Sequence, residues 1–273
     1  MTANPSRPAP ADRATERGRR PAHGDPVVER AFALLGAFSA HRRSIGLGEL
    51  SRLTGIPKSS TLRLARTLVK LGVLERAEDG DFVIGLRLWE IARLTPQVHG
   101  LRRAAMPFME DLNQITRQHV LLAVREGHEA VLVERLSAHT AGPVLYEIGG
   151  RLPLHSTGVG MVLLAHADFG DQHAYLTDAA LPTADRPQAT PEELRRDLAA
   201  VRRDGYAVVT RATPSPVVSV AAPVRDADGT VVAALSVIVP QDEDVRALTP
   251  AVRATARALS RALDSRRGSP PPH

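Results

Sequence analysis

The chain has 273 residues, of which 43% are hydrophobic and 24% charged, and a formal net charge of +5. At about one domain per 150 residues, that length predicts two compact units plus tails. No apolar run approaches the roughly 18 to 20 residues of a membrane span, and the absence of cysteine excludes disulfides, cysteine-ligated metal clusters and thiol nucleophiles. The polar, Pro-rich start has no apolar stretch of signal-peptide type, so a cytoplasmic protein is expected.

The charge is unevenly placed. Residues 1–26 carry five Arg against three acids, residues 27–95 eleven Lys and Arg against seven acids, and residues 96–273 nineteen against twenty. A basic module joined to a nearly neutral one predicts that the first meets a polyanion and the second has another task. Arg outnumbers Lys 33 to two throughout, so the asymmetry gains meaning only where motifs agree with it.

In chain order, residues 1–26 read as a disordered basic Pro-rich tail, and residues 268–273 as a second tail. Val27, Val28, Ala31, Leu34, Leu35 and Phe38 follow the spacing of a helix with one buried face. A polar break from His41 to Gly46 leads to a short second helix through Leu47, Leu50 and Leu53, stopped at Gly55. Pro57 is suited to the first position of a third helix that runs to Leu71 before Gly72. Val73–Ala77, the turn Glu78-Asp79-Gly80-Asp81, and Phe82–Ile84 form a β-hairpin. Helix, helix, turn, helix and hairpin make a winged helix-turn-helix over residues 27–85.

Residues 86–100 read as a linker helix with Trp89 as its packing anchor, and helical spacing resumes from Leu101 to about Arg117. Strands are expected at Val120–Val124, Ala130–Leu136, Val144–Ile148, Tyr206–Val209, Val217–Val224 and Val231–Val239. Helices are expected at Gly158–His166, Pro191–Arg203 and about Thr249–Arg266. The fold class is therefore α+β, with residues 101–267 forming a mixed, largely antiparallel sheet flanked by helices.

On a wheel of about 100° per residue, Thr61, Leu64, Ala65 and Leu68 share one face of the third helix. Ser59, Leu62, Arg63, Arg66 and Lys70 share the other. Lys58, Ser59 and Ser60 occupy the first turn, where hydroxyls and free backbone N–H groups suit phosphate oxygens. Arg63 and Arg66 are suited to guanine edges, and Leu62 to a thymine methyl. Arg76 on the wing and Arg42 and Arg43 in the first loop are further candidates for backbone contacts.

The segment Gly55-Ile56-Pro57-Lys58-Ser59-Ser60-Thr61-Leu62-Arg63-Leu64, with Val27–Ala31 before it and Asp79–Gly85 after it, resembles the DNA-binding domain of IclR-type bacterial transcription regulators. Leu152–Gly160, Asp204–Val208, Ser219–Val224 and Ala234–Val237 extend the resemblance over about Asp25 to Arg266. It implies a winged helix-turn-helix joined by a linker helix to a GAF-like, mixed α/β effector-binding domain. It also implies a homodimer or homotetramer on near-palindromic double-stranded DNA operators, with repression the commoner outcome.

In relatives, a small ligand is held at positions matching Gly158, Val159, Ser219, Ser236 and Ile238. The Gly205-Tyr206-Ala207-Val208 motif is typically followed there by acidic residues, whereas here Val209-Thr210-Arg211 follows. The departure implies a different ligand or no ligand, which leaves a regulator or architectural protein without an effector as the alternative; Arg211 either points into the pocket, where it pairs with a carboxylate or phosphate of an anionic effector, or faces solvent beside its strand. No cofactor or metal is expected. His155-Ser156 lacks a Gly-x-Ser-x-Gly elbow, and no hydrolase is expected. His155, His166 and His173 fit no compact metal motif, and Asp226-Ala227-Asp228-Gly229 reads as a turn rather than a calcium loop.

Overall fold

The computed structural model describes residues 27–39, 41–138, 141, 146–177, 190–211 and 216–267. Both expected tails, and Val144 and Leu145 of one expected strand, lie outside the described residues. The chain divides into two compact units between Ala92 and Arg93.

The first unit is built from α1 (Val27–Gly36), β1 (Ser44–Ile45), α2 (Leu47–Thr54), α3 (Lys58–Lys70), β2 (Leu74–Arg76), β3 (Phe82–Ile84) and α4 (Leu86–Ala92). Its sheet has the order β1-β3-β2, all antiparallel. The two-residue β1 is too short to show a period of two and escapes a sequence reading. Leu34, Ile45, Leu50, Ile56, Leu64, Ala65, Leu68, Leu74 and Phe82 form the core. The wheel is borne out: Thr61, Leu64, Ala65 and Leu68 are the buried residues of α3. Pro57 stands one position earlier than expected, as an extended N-cap with φ −53° and ψ 138°, and α3 begins at Lys58.

The linker expected over residues 86–100 is broken. Helix α4 ends at Ala92, and a new helix, α5 (Pro96–Thr116), starts with Pro at its head. Proline disfavours helical geometry in the residue before it, and Thr95 is extended, with φ −68° and ψ 105°. Trp89 is 61% exposed rather than an anchor, and no residue of α4 is buried.

The second unit continues with β4 (His119–Glu126), β5 (Glu129–Leu136), β6 (Arg151–Pro153), α6 (Gly158–Ala165), α7 (Phe169–Thr177), α8 (Pro191–Asp204), β7 (Ala207–Arg211), β8 (Val217–Arg225), β9 (Val231–Pro240) and α9 (Val245–Arg267). All six strands are antiparallel, in the order β6-β5-β4-β9-β8-β7. The strand expected at Val144–Ile148 is displaced: Ile148 and Gly149 form a turn, and pairing with β5 begins at Arg151. Gly149, at φ +82°, supplies the left-handed conformation that this turn needs. Helix α7 was not expected; only Tyr175 and Leu176 of its residues are buried, too few to imprint a period.

Alternation along the central strands fills two cores. Leu121, Ala123, Ala221, Ala234 and Ile238 pack with α6 and α8 on one face. Val120, Leu122, Val220, Val224, Leu235 and Val237 pack with α5 and α9 on the other. Each unit thus has its own core. Phe82, fully buried and among the largest side chains of the first unit's core, is expected to cost about 3–5 kcal/mol on Phe82→Ala. Calorimetry of the full chain should lose the first unit's transition and keep that of the second.

Candidate functional site

In the first unit, the candidate surface is the outer face of α3. The turn before it is pinned: Gly55 takes φ 68°, and Ser51 Oγ and Thr61 Oγ1 both donate to the Ile56 carbonyl, at 2.7 and 3.1 Å. Buried Ile56 anchors this turn in the core. Ser59, Leu62, Arg63, Arg66, Thr67 and Lys70 line one shallow groove on the opposite side of the helix. Arg63, Arg66 and Lys70 are exposed, as are Lys58 and Ser59, while Ser60 and Leu62 are half-buried. The N-terminus of α3 has no side-chain cap, so its first N–H groups are available to an anion.

The remaining candidates are more constrained. Arg76 donates to the Gly80 carbonyl, and its guanidinium lies 4.2 Å from the centre of the Phe82 ring, so it braces the wing turn. Arg42 is half-buried and donates to the Ala37 carbonyl at 3.4 Å, whereas Arg43 is exposed.

In the second unit, a small pocket, with a free volume of about 20 Å³, opens between the sheet and the start of α6. It brings together all six residues singled out from the sequence: Gly158, Val159, Arg211, Ser219, Ser236 and Ile238. Pairing explains the convergence, because Ser219 faces Ile238 across β8 and β9, and Ser236 faces Leu121 across β9 and β4. Sequence reasoning missed Tyr146, Ser156 and Val217, which also line the pocket. Tyr146 and Ser156 lie in connecting segments, where no periodicity marks the inward side.

Helix α6 is buried along its whole length. Thr157 caps it, accepting from the Gly160 N–H at 3.1 Å and donating to the Pro153 carbonyl at 2.7 Å. A Cβ on Gly158 would fall 2.3 Å from Ser219 Oγ, and one on Gly160 would fall 2.5 Å from the Leu154 carbonyl oxygen. Glycine is what allows this close approach. Ser156 is 4% exposed and its Oγ has no hydrogen-bond partner.

Arg211 is the one charged side chain among the described lining residues, and no carboxylate joins it. It donates to Tyr146 Oη, and its guanidinium carbon lies 4.9 Å from the centre of the Tyr146 ring. Arg211 Nε is buried without a partner.

The neighbouring His155 points elsewhere. Its Nδ1 lies 2.7 Å from Tyr175 Oη, which also accepts the His155 backbone N–H at 3.3 Å. His155 Nδ1 is thus engaged by Tyr175 rather than by the Ser156 hydroxyl. His166, at the end of α6, has its pKa lowered by burial, opposed by its Nδ1 hydrogen bond to the Val162 carbonyl, and lowered further by Arg225 and Arg202. At Asp226-Ala227-Asp228-Gly229, Asp226 accepts the backbone N–H groups of Asp228 and Thr230, at 3.1 and 3.0 Å, as a turn does.

The close approach of α6 is testable. Gly160→Ala forces a Cβ against backbone atoms of Pro153 and Leu154 and should cost about 1–3 kcal/mol in chemical denaturation. Gly36→Ala, with nothing within 4 Å, should leave stability unchanged or raise it.

Comparison with known proteins matches residues 27–78 to the IclR helix-turn-helix domain and residues 95–261 to the bacterial transcriptional regulator IclR C-terminal domain. The HTH-type transcriptional regulator XynR of Escherichia coli is 29% identical over 242 residues, which are 86% of this chain and 96% of that protein. The glycerol operon regulatory protein of Streptomyces coelicolor is 29% identical over 247 residues, 88% of this chain and 97% of that protein. An IclR homologue from Microbacterium hydrocarbonoxydans, solved in complex with 4-hydroxybenzoate, superposes with a TM-score of 0.82 at 34% identity and covers 89% of this chain and 100% of that one. Among the described residues, no helix is long and apolar enough to cross a membrane. The chain belongs to the IclR family of bacterial, DNA-binding transcriptional regulators.

Proposed function

We propose that this chain is a repressor that acts as a homodimer or higher homo-oligomer on near-palindromic operators and releases them in response to a small organic anion held in the second unit's pocket. Two α3 helices, one per protomer, enter successive major grooves. Arg63, Arg66 and Leu62 meet base edges, while Lys58, Ser59, Ser60 and the free N–H groups of the first turn hold phosphates. Arg43 and the wing, with Arg42 and Arg76 as braces, lie along the backbone. The exposed apolar residues Val28, Phe32, Leu86 and Trp89 of α1 and α4 offer the surface for pairing the first units. That these heads act in the cytoplasm follows from their DNA partner.

The observation that carries the effector reading is the pair of buried, partnerless groups in one pocket, Ser156 Oγ and Arg211 Nε, with no acid among the described lining residues. A carboxylate or phosphate satisfies both, the guanidinium by a charge-assisted hydrogen bond and the hydroxyl by donation. The first N–H groups of α6 add to the positive potential. Leu121, Leu152, Val159, Val209, Val217 and Ile238 offer apolar contacts to a ligand body, which has to displace them as it enters. An aromatic acid such as 4-hydroxybenzoate, the molecule bound by the Microbacterium homologue, has this chemistry. The ligand acts through its different affinity for DNA-competent and DNA-incompetent arrangements. One observation favours a second reading, a DNA-bound protein without an effector: Tyr146 already gives Arg211 a partner.

Two measurements test these readings. Arg63→Ala should weaken operator binding by about 1–3 kcal/mol and relax preference at one position, while Lys58→Ala should lower affinity uniformly and reduce the salt slope by about 1. Unchanged footprints and salt slopes in both variants would remove the α3 assignment. Calorimetric titration with 4-hydroxybenzoate should show binding to the wild-type protein that weakens about tenfold or more in Arg211→Ala. Equal binding to both discards the role of Arg211, and absence of binding across a panel of aromatic and aliphatic acids favours the second reading.

A further inference from the structure

Tyr146 is held at both ends. Its hydroxyl accepts from Arg211 on the pocket side, and its backbone carbonyl accepts from the Arg135 guanidinium. Arg135 sits on β5 opposite Leu121, on the face of the sheet that carries the pocket. The residue before it, Glu134, faces Leu122 and so points to the opposite face, towards α5. The two are joined locally, because the Arg135 backbone N–H donates to Glu134 Oε1 at 2.9 Å. Glu134 Oε2 accepts from Arg102 Nε on α5. The Glu134 side chain is only 4% exposed, and a buried carboxylate without its cation is costly, so Arg102 and Glu134 are bound to move together. A bulge supports the crossing. Leu122 pairs with Glu134 but Ala123 pairs with Leu132, which leaves Val133 as the extra residue of β5.

Resting on the effector reading of the pocket, we infer that Tyr146 is a positioning residue that links Arg211 to α5 through Arg135, Glu134 and Arg102. An anion that binds the partnerless Arg211 Nε and turns the guanidinium towards itself draws Nη1 away from the Tyr146 phenol. Tyr146 then shifts, the hold of Arg135 on its carbonyl changes, and the change crosses the sheet through the Arg135 backbone N–H and the Glu134 carboxylate to Arg102, in the second turn of the first helix after the DNA-binding unit. The coupling requires two arrangements of Tyr146 rather than a continuous deformation of the packed sheet.

The test needs no ligand, which separates it from the calorimetric test of the pocket. Operator affinity of the full chain is measured for Tyr146→Phe, for Arg102→Met and for the double variant, with melting curves to establish folding. Independent sites multiply to within about twofold. The relay predicts that each single variant shifts the operator Kd and that the double variant departs from the product by more than about threefold. Glu134→Gln, which keeps the shape but weakens the hold on Arg102, replaces Arg102→Met if that variant is poorly folded. Hydrogen exchange supplies the second readout: residues 99–105 of α5 should exchange several-fold faster in Tyr146→Phe than in the wild type, but not in Val209→Ala, which alters the same pocket outside the chain of contacts. Multiplicative affinities, or equal exchange in Tyr146→Phe and Val209→Ala, overturn the inference, whether or not 4-hydroxybenzoate binds.

Discussion

A sheet buried on both faces governs the second unit. Because side chains alternate along a strand, neighbouring residues of β4, β8 and β9 serve different cores, one under α6 and α8 and the other under α5 and α9. The pocket interrupts the first of these cores at Ser219 and Ser236, two small polar residues at inward positions. The second core is interrupted by the buried Glu134, whose carboxylate Arg102 of α5 holds. Any signal from the pocket to the helices behind the sheet has to pass between adjacent residues of one strand, because the strands themselves are packed too tightly to slide.

The first unit solves a different problem with fewer residues. A short helix pair must hold a third helix at a fixed angle, and the nine buried hydrophobic residues of its core do so with help from a tight turn. Ser51 and Thr61 converge on one carbonyl, so the turn is fixed from both helices at once. Burial of Thr61 alongside Leu64, Ala65 and Leu68 commits one side of α3 to the core and thereby commits Arg63 and Arg66 to the solvent. The cations of α3 thus lie on the side that the core does not use, and they form part of the basic excess of residues 27–95.

Much of this was legible in the sequence, for identifiable reasons. Helix α3 carries a clean period of 3.6, and its inward residues come out as expected, while β8 and β9, buried on both faces, are legible as β-rich apolar runs joined by a turn. The pocket positions Gly158, Val159, Ser219, Ser236 and Ile238 followed from resemblance, whereas the sequence leaves open whether Arg211 turns inward or to solvent, and only the folded strand decides it. What escaped lies where local pattern is weak. Strand β1 has two residues, β6 has three and α7 buries only two side chains. Tyr146 and Ser156 reach the pocket from connecting segments, and their roles depend on long-range pairing that no local spacing encodes. Trp89 illustrates the opposite error, since an apolar neighbourhood in sequence was taken for an interior that α4 does not possess.

The glycines at the head of α6 set a limit on how this pocket can change. Where a helix backbone presses against β8 and the preceding loop closely enough to exclude a methyl group, Gly158 and Gly160 cannot take on a side chain. A protein of this build that acquires a new ligand does so through lining side chains such as Tyr146, Val209, Arg211 and Val217. The invariant backbone wall and the replaceable side-chain wall together describe a receptor whose chemistry can diversify without disturbing the frame that carries it.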